Sequence, residues 1–117
     1  MLFRSYNIKD IDEWLESDIN VEGDGFWLRV QGDSMTSPTG LSIPEGMDIL
    51  VDTGREPKNG SLVIAKLDDA NEATFKKLVI DGGQKYLKPL NPQYPLMQVN
   101  GNCRIVGVVV EAKYRFV

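Results

Sequence analysis

Two stretches carry residue types that could do chemistry together. The first is Val30-Gln31-Gly32-Asp33-Ser34-Met35-Thr36, with an apolar-rich run before it and the turn-rich Ser37-Pro38-Thr39-Gly40 after it. Gly32 gives the backbone freedom to turn sharply there. Ser34 is therefore expected on a tight turn at a strand end, its hydroxyl presented rather than packed, where a nucleophile is useful. The second stretch is Ala73-Thr74-Phe75-Lys76-Lys77-Leu78-Val79-Ile80. The chain has no histidine, which excludes a serine–histidine–acid triad. A nucleophilic Ser34 needs a lysine or a carboxylate as its base, and serine–lysine pairs are a known form of that arrangement.

Most turn serines only bond their own backbone, and most lysine pairs decorate a solvated strand face. The chemistry asks for more. A lysine with an ordinary pKa near 10.4 is a cation at neutral pH and has no lone pair to offer. Burial among apolar groups disfavours the charge and lowers the pKa, and the neutral amine can then take the serine proton. Leu78, Met35 and the strand cores are candidates for that apolar wall. The backbone N–H groups of Asp33 and Ser34 are candidates for holding an oxyanion. Asp33 is a poor base, because neighbours at a strand end point apart. Asp48 and Asp52 share a strand face, but no third ligand stands near them, and they read as ordinary solvent-facing or turn residues. No metal or cofactor is expected.

The elements that must position these groups are strands. Side chains alternate along a strand, so in 72–80 Thr74, Lys76 and Leu78 face one way while Phe75, Lys77 and Val79 face the other. One lysine of the pair can enter a site, not both. Which one enters is left open by the alternation. Strand patterns recur at 26–30, 47–52, 61–67, 84–89, 96–99 and 103–114, separated by Ile43-Pro44-Glu45-Gly46, Asn59-Gly60, Asp68-Asp69-Ala70-Asn71, Asp81-Gly82-Gly83 and Asn91-Pro92-Gln93-Tyr94-Pro95. That predicts a mostly β domain, barrel-like or a folded sheet, with little helix. Ile8, Ile11, Trp14, Leu15 and Ile19 permit a short helix capped by Asn7, or an irregular arm packing Trp14 on the domain.

The chain has 117 residues, suited to one domain, with 42% hydrophobic residues for a core. Its net charge of −4 and dispersed charges argue against gripping nucleic acid. A lone cysteine, Cys103, allows no disulfide within the chain and fits a reducing cytoplasm. The start is too short and polar for a signal peptide, and no apolar run approaches the roughly 20 residues of a membrane span. A cytoplasmic protein is expected.

Several runs resemble the carboxy-terminal domain of lambdoid (CI/C2-type) phage repressors. They are Phe26-Trp27-Leu28-Arg29-Val30-Gln31-Gly32-Asp33-Ser34-Met35-Thr36 with Ser37-Pro38-Thr39-Gly40, Ile43-Pro44-Glu45-Gly46-Met47, Ile49-Leu50-Val51-Asp52, Glu72-Ala73-Thr74-Phe75-Lys76-Lys77-Leu78, Leu87-Lys88-Pro89-Leu90-Asn91-Pro92-Gln93-Tyr94-Pro95 and Val106-Gly107-Val108-Val109. The resemblance spans about residues 24–113 and implies the LexA/UmuD-like self-cleaving serine peptidase class. It implies Ser34 as nucleophile and Lys76, the first lysine of the Phe-Lys-Lys-Leu motif, as general base. It also implies a homodimer and, in whole repressors, cleavage prompted by a RecA filament during the SOS response.

One departure stands out. The family's scissile bond is usually Ala-Gly or Cys-Gly, well upstream of the serine. This chain has neither dipeptide, only 33 residues precede Ser34, and there is no helix-turn-helix. The expectation is a lead-in arm at 1–23, following an absent cleavage segment, and a peptidase-like dimerisation domain at 24–117. The alternatives are a non-catalytic oligomerisation or binding β-module and a stand-alone UmuD-like protein.

Overall fold

The computed structural model describes residues 3–5, by backbone alone, together with 23–68 and 73–116. Eight strands lie among the described residues: β1 (Phe3–Ser5), β2 (Gly25–Val30), β3 (Asp48–Asp52), β4 (Leu62–Leu67), β5 (Ala73–Asp81), β6 (Gln84–Lys88), β7 (Met97–Val99) and β8 (Cys103–Lys113). No helix occurs among the described residues, and none there is long and apolar enough to cross a membrane. The helix or arm expected over residues 8–19 lies outside the described residues. So does part of the loop that joins β4 to β5.

All pairings are antiparallel, in one sheet ordered β1-β2-β3-β8-β4-β5-β6-β7. The mostly β architecture expected from the sequence is therefore present. Curvature has an identifiable source in β8. Its register shifts against β3 between Leu50 and Val51, and against β4 between Ile64 and Ala65. Such shifts bend a strand and increase its twist. The sheet curls enough for β1, at one edge, to approach β5. This is the barrel-like fold of the sheet.

Alternation sets the core. In β2, Leu28 and Val30 are buried with Ile49, Val51, Ile64, Phe75, Met35 and Ile43. The opposite face of β2 places Trp27 across from Leu50 and Arg29 across from Asp48. Trp27 is buried with Leu50, and the Lys113 ammonium sits 5.3 Å from its ring. A second cluster joins Val63, Ala65, Leu78, Leu87 and Val108.

Two expectations fail here. Asp48 and Asp52 are buried, not solvent-facing. Asp48 accepts from Arg29 Nε at 3.0 Å across the β2–β3 pair, so its charge is compensated. Asp52 Oδ1 accepts from the Gly23 and Gly54 N–H groups, each at 2.9 Å, and Oδ2 faces Arg55 Nε at 3.4 Å. It closes the end of β3 onto the chain entering β2. These are structural carboxylates, and the described residues hold no cluster of three or more metal-ligating side chains.

Candidate active site

The Ser34 turn leaves the end of β2. Gly32 takes φ +80°, a left-handed conformation that glycine adopts at no steric cost. Its N–H donates to the Glu45 carboxylate. Residues 33–36 form a turn closed by Thr36 N donating to the Asp33 carbonyl at 3.0 Å. Met35, fully buried in the main core, anchors the turn from below, and its carbonyl accepts from Ile43 N at 2.7 Å. The side chain next to the serine is thus an apolar peg.

β5 delivers the other half. Its Lys76 pairs in register with Val63 of β4. Lys76 is only 7% exposed, and Thr74 and Leu78 on the same face are buried with it. Lys77, across from Leu62 and Lys88, is half-buried on the other face. The alternation argument therefore holds, and the lysine that turns inward is Lys76.

The Lys76 Nζ lies 3.1 Å from Ser34 Oγ, 2.9 Å from Thr74 Oγ1 and 3.1 Å from the Phe75 carbonyl oxygen. As an ammonium it has three N–H bonds to give and three oxygens to receive them. As a neutral amine it keeps two N–H bonds, enough for Thr74 Oγ1 and the Phe75 carbonyl. The lone pair is then left for Ser34, whose own O–H can donate to it. Burial, which disfavours the charged form, pulls the Lys76 pKa below its ordinary value. Contact between the two side chains and a lysine pKa moved down are both features that serine–lysine chemistry would use.

The serine itself corrects an expectation. Ser34 is fully buried, not presented. Segment 89–95 is bonded to its turn: Asn91 N donates to the Ser34 carbonyl at 2.9 Å, and Asn91 Nδ2 donates to the Asp33 carbonyl at 3.0 Å. Tyr94 Oη donates to the Asp33 carboxylate. That hydrogen bond holds the Tyr94 phenol above its ordinary pKa. The expected pair, Ser34 and Lys76, is brought together. Asp33 contributes carbonyl and carboxylate contacts to the turn's support. Thr74, Asn91 and Tyr94 were not singled out from sequence. Thr74 was within reach, two residues before Lys76 on the same face. For Asn91, 58 residues from Asp33, sequence carried no signal.

Comparison with known proteins fits this geometry. The chain matches the Peptidase S24-like family over residues 3–110. It is 63% identical over 108 residues to Repressor protein C2 of Salmonella phage P22, covering 92% of this chain and 50% of that protein. It is 58% identical over 105 residues to the HTH-type transcriptional regulator for conjugative element R391 of Providencia rettgeri, covering 89% and 49%. To the LexA repressor of Verrucomicrobium spinosum it is 38% identical over 85 residues, covering 73% and 39%. The chain spans about half the length, or less, of these relatives. With the family pattern covering nearly its whole length, this chain belongs to the S24-like peptidase family.

Proposed function

We propose that this chain is the regulatory, carboxy-terminal domain of a phage- or prophage-type repressor and carries a serine–lysine self-cleavage centre. Ser34 is the nucleophile, Lys76 the general base, and the backbone N–H groups of Asp33 and Ser34 hold the oxyanion. The observation that carries the reading is the 3.1 Å contact between Lys76 Nζ and Ser34 Oγ inside a buried site. In the reaction, Ser34 Oγ attacks the scissile carbonyl carbon as its proton passes to neutral Lys76. The lysine then returns that proton to the leaving amine, and an acyl ester remains on Ser34. Water, deprotonated by the same lysine, hydrolyses the ester and frees the serine.

The fold supports delivery of a segment in cis. β1 runs antiparallel to β2 with Phe3 opposite Val30, so its amino-terminal end lies at the end of β2 that leads into the Ser34 turn. Dimerisation is the second role of the domain. The exposed, stacked Tyr114 and Phe116, with ring centroids 6.0 Å apart, are apolar surface suited to a partner copy. In the whole repressor a RecA filament would prompt the cut, and dimerisation would raise the effective concentration of paired DNA-binding halves.

Cleavage in trans tests the reading. This chain is mixed with a longer repressor of the family that carries an Ala-Gly hinge and has its own serine replaced by alanine. Products are followed on gels from neutral pH to about pH 10, where an ordinary lysine begins to lose its proton. Cutting should rise with pH, vanish in Ser34→Ala and Lys76→Ala, and persist in Lys77→Ala. A folded, dimeric chain that cuts at no pH would refute the enzymatic half and leave the interaction role.

A further inference from the structure

We propose that Asn91 is a positioning residue for the serine centre: its side-chain amide and backbone N–H hold the Asp33 and Ser34 carbonyls and so fix the direction of the peptide units that present Ser34 to Lys76. The inference rests on the serine–lysine reading above. Its observations are independent of the dyad, because Asn91 touches neither Lys76 nor the serine hydroxyl.

The turn at residues 33–36 already has the single local bond that closes a β-turn, Thr36 N to the Asp33 carbonyl. Two more bonds to its carbonyls come from one residue far away in the chain: Asn91 Nδ2 to Asp33 O at 3.0 Å and Asn91 N to Ser34 O at 2.9 Å. A trans peptide unit is planar and rigid, with its C=O and N–H on opposite sides. The Asp33 carbonyl belongs to the unit that ends in the Ser34 N–H, and the Ser34 carbonyl to the unit that ends in the Met35 N–H. Holding both carbonyls at Asn91 therefore points both N–H groups away from Asn91 and leaves the intervening Cα, which carries the hydroxyl, little freedom to rotate.

Asn91 is itself held. Its Oδ1 accepts from Gln93 N at 3.0 Å and its carbonyl from Tyr94 N at 3.2 Å. Pro89, Pro92 and Pro95 restrict the segment around it. Tyr94 then reaches back to the Asp33 carboxylate. A stiff loop with an internally braced asparagine is a better template than a flexible one, since a donor that must reorganise during reaction contributes less.

Two variants test the assignment in the trans-cleavage assay. Asn91→Asp keeps the shape and the acceptor for Gln93 N but loses the amide donor. Asn91→Leu loses the donor without adding charge. Both keep the backbone N–H. Ser34→Ala and Lys76→Ala run beside them as controls. Loss of one oxyanion donor costs about 100- to 1000-fold in enzymes, so a donor left in place but less firmly aimed should cost about 10- to 100-fold. The expected result is that loss in kcat for both variants at every pH, with KM, the pH midpoint and the melting temperature near wild type. Wild-type rates in both variants, with the two controls dead, would overturn the role of Asn91 and leave the dyad standing. A loss in Asn91→Asp alone would assign the effect to charge and also overturn it, as would a moved midpoint with an unchanged plateau. Controls that still cut would sink the serine–lysine reading and this inference with it.

Discussion

Replacing Thr74 by valine separates the two protonation states of Lys76. Valine keeps the branched shape that suits a strand and removes only the oxygen 2.9 Å from Nζ. A hydrogen bond to a charged group contributes about 1.5–3 kcal/mol and one between neutral groups about 1. The ammonium therefore loses more than the amine when Thr74 Oγ1 goes, by about 1 kcal/mol, which is about 0.7 of a pH unit. The sign is fixed: the Lys76 pKa, already lowered by burial, falls further. In a series of cleavage rates against pH the midpoint should move down by about that amount. The plateau above the midpoint should fall, because the neutral amine now has one acceptor, the Phe75 carbonyl, where two had aimed its lone pair at Ser34. Trans cleavage under single-turnover conditions reads both quantities. A midpoint that stays in place or rises would refute the hydrogen-bond account of the base, and a raised plateau would refute the orienting role of Thr74.

Two stability predictions rest on the same structure. Gly107→Ala puts a Cβ 2.6 Å from Val51 Cγ1 and 2.9 Å from the Asp52 carbonyl oxygen, where β8 crosses buried β3. Overpacking of this kind costs about 1–3 kcal/mol, seen as a lower urea midpoint at unchanged slope; an unchanged midpoint would mean that β8 does not lie this close. For Lys76, the lowered pKa means that the unfolded chain holds a proton that the folded chain has shed. Stability should therefore rise with pH from that lowered value up to the ordinary 10.5. Lys76→Met should lose this rise, and an identical pH dependence of unfolding in the two proteins would contradict it.

Strands were legible because period-two alternation and turn residues are local signals. The runs 26–30, 61–67 and 103–114 match β2, β4 and β8 to within a residue at each end. The same alternation allowed one lysine of β5 to enter a site, and the resemblance to phage repressors picked Lys76. What local signals could not carry were contacts between remote segments. Asp48 looks like a solvated strand end until the β2–β3 register sets it opposite Arg29. Ser34 looks presented until the fold buries it and segment 89–95 bonds to its turn. The prolines of that segment announce stiffness, not the surface on which it lies. The three-oxygen setting of Lys76 was half legible: Thr74 follows from alternation, while the Phe75 carbonyl depends on the side chain folding back along its own strand.

The burial of Lys76 weighs on the choice between a catalytic and a purely associative domain. Removing an ammonium from water is costly unless a counter-charge stands beside it. Among the described residues, the groups bonded to Nζ are two hydroxyls and a carbonyl, all neutral. Asp48 has the same problem elsewhere in the sheet and solves it with Arg29. A domain selected only to associate would gain stability from leucine or methionine at position 76, as a packed strand centre elsewhere in this sheet has Val63, Ile64 and Phe75. A lysine lined by oxygens, with no counter-charge among its described partners and in contact with a buried serine, is a poor structural element and suits the proposed base. Its cost is of the kind that function retains, which favours the proposed cleavage reading over a purely associative one.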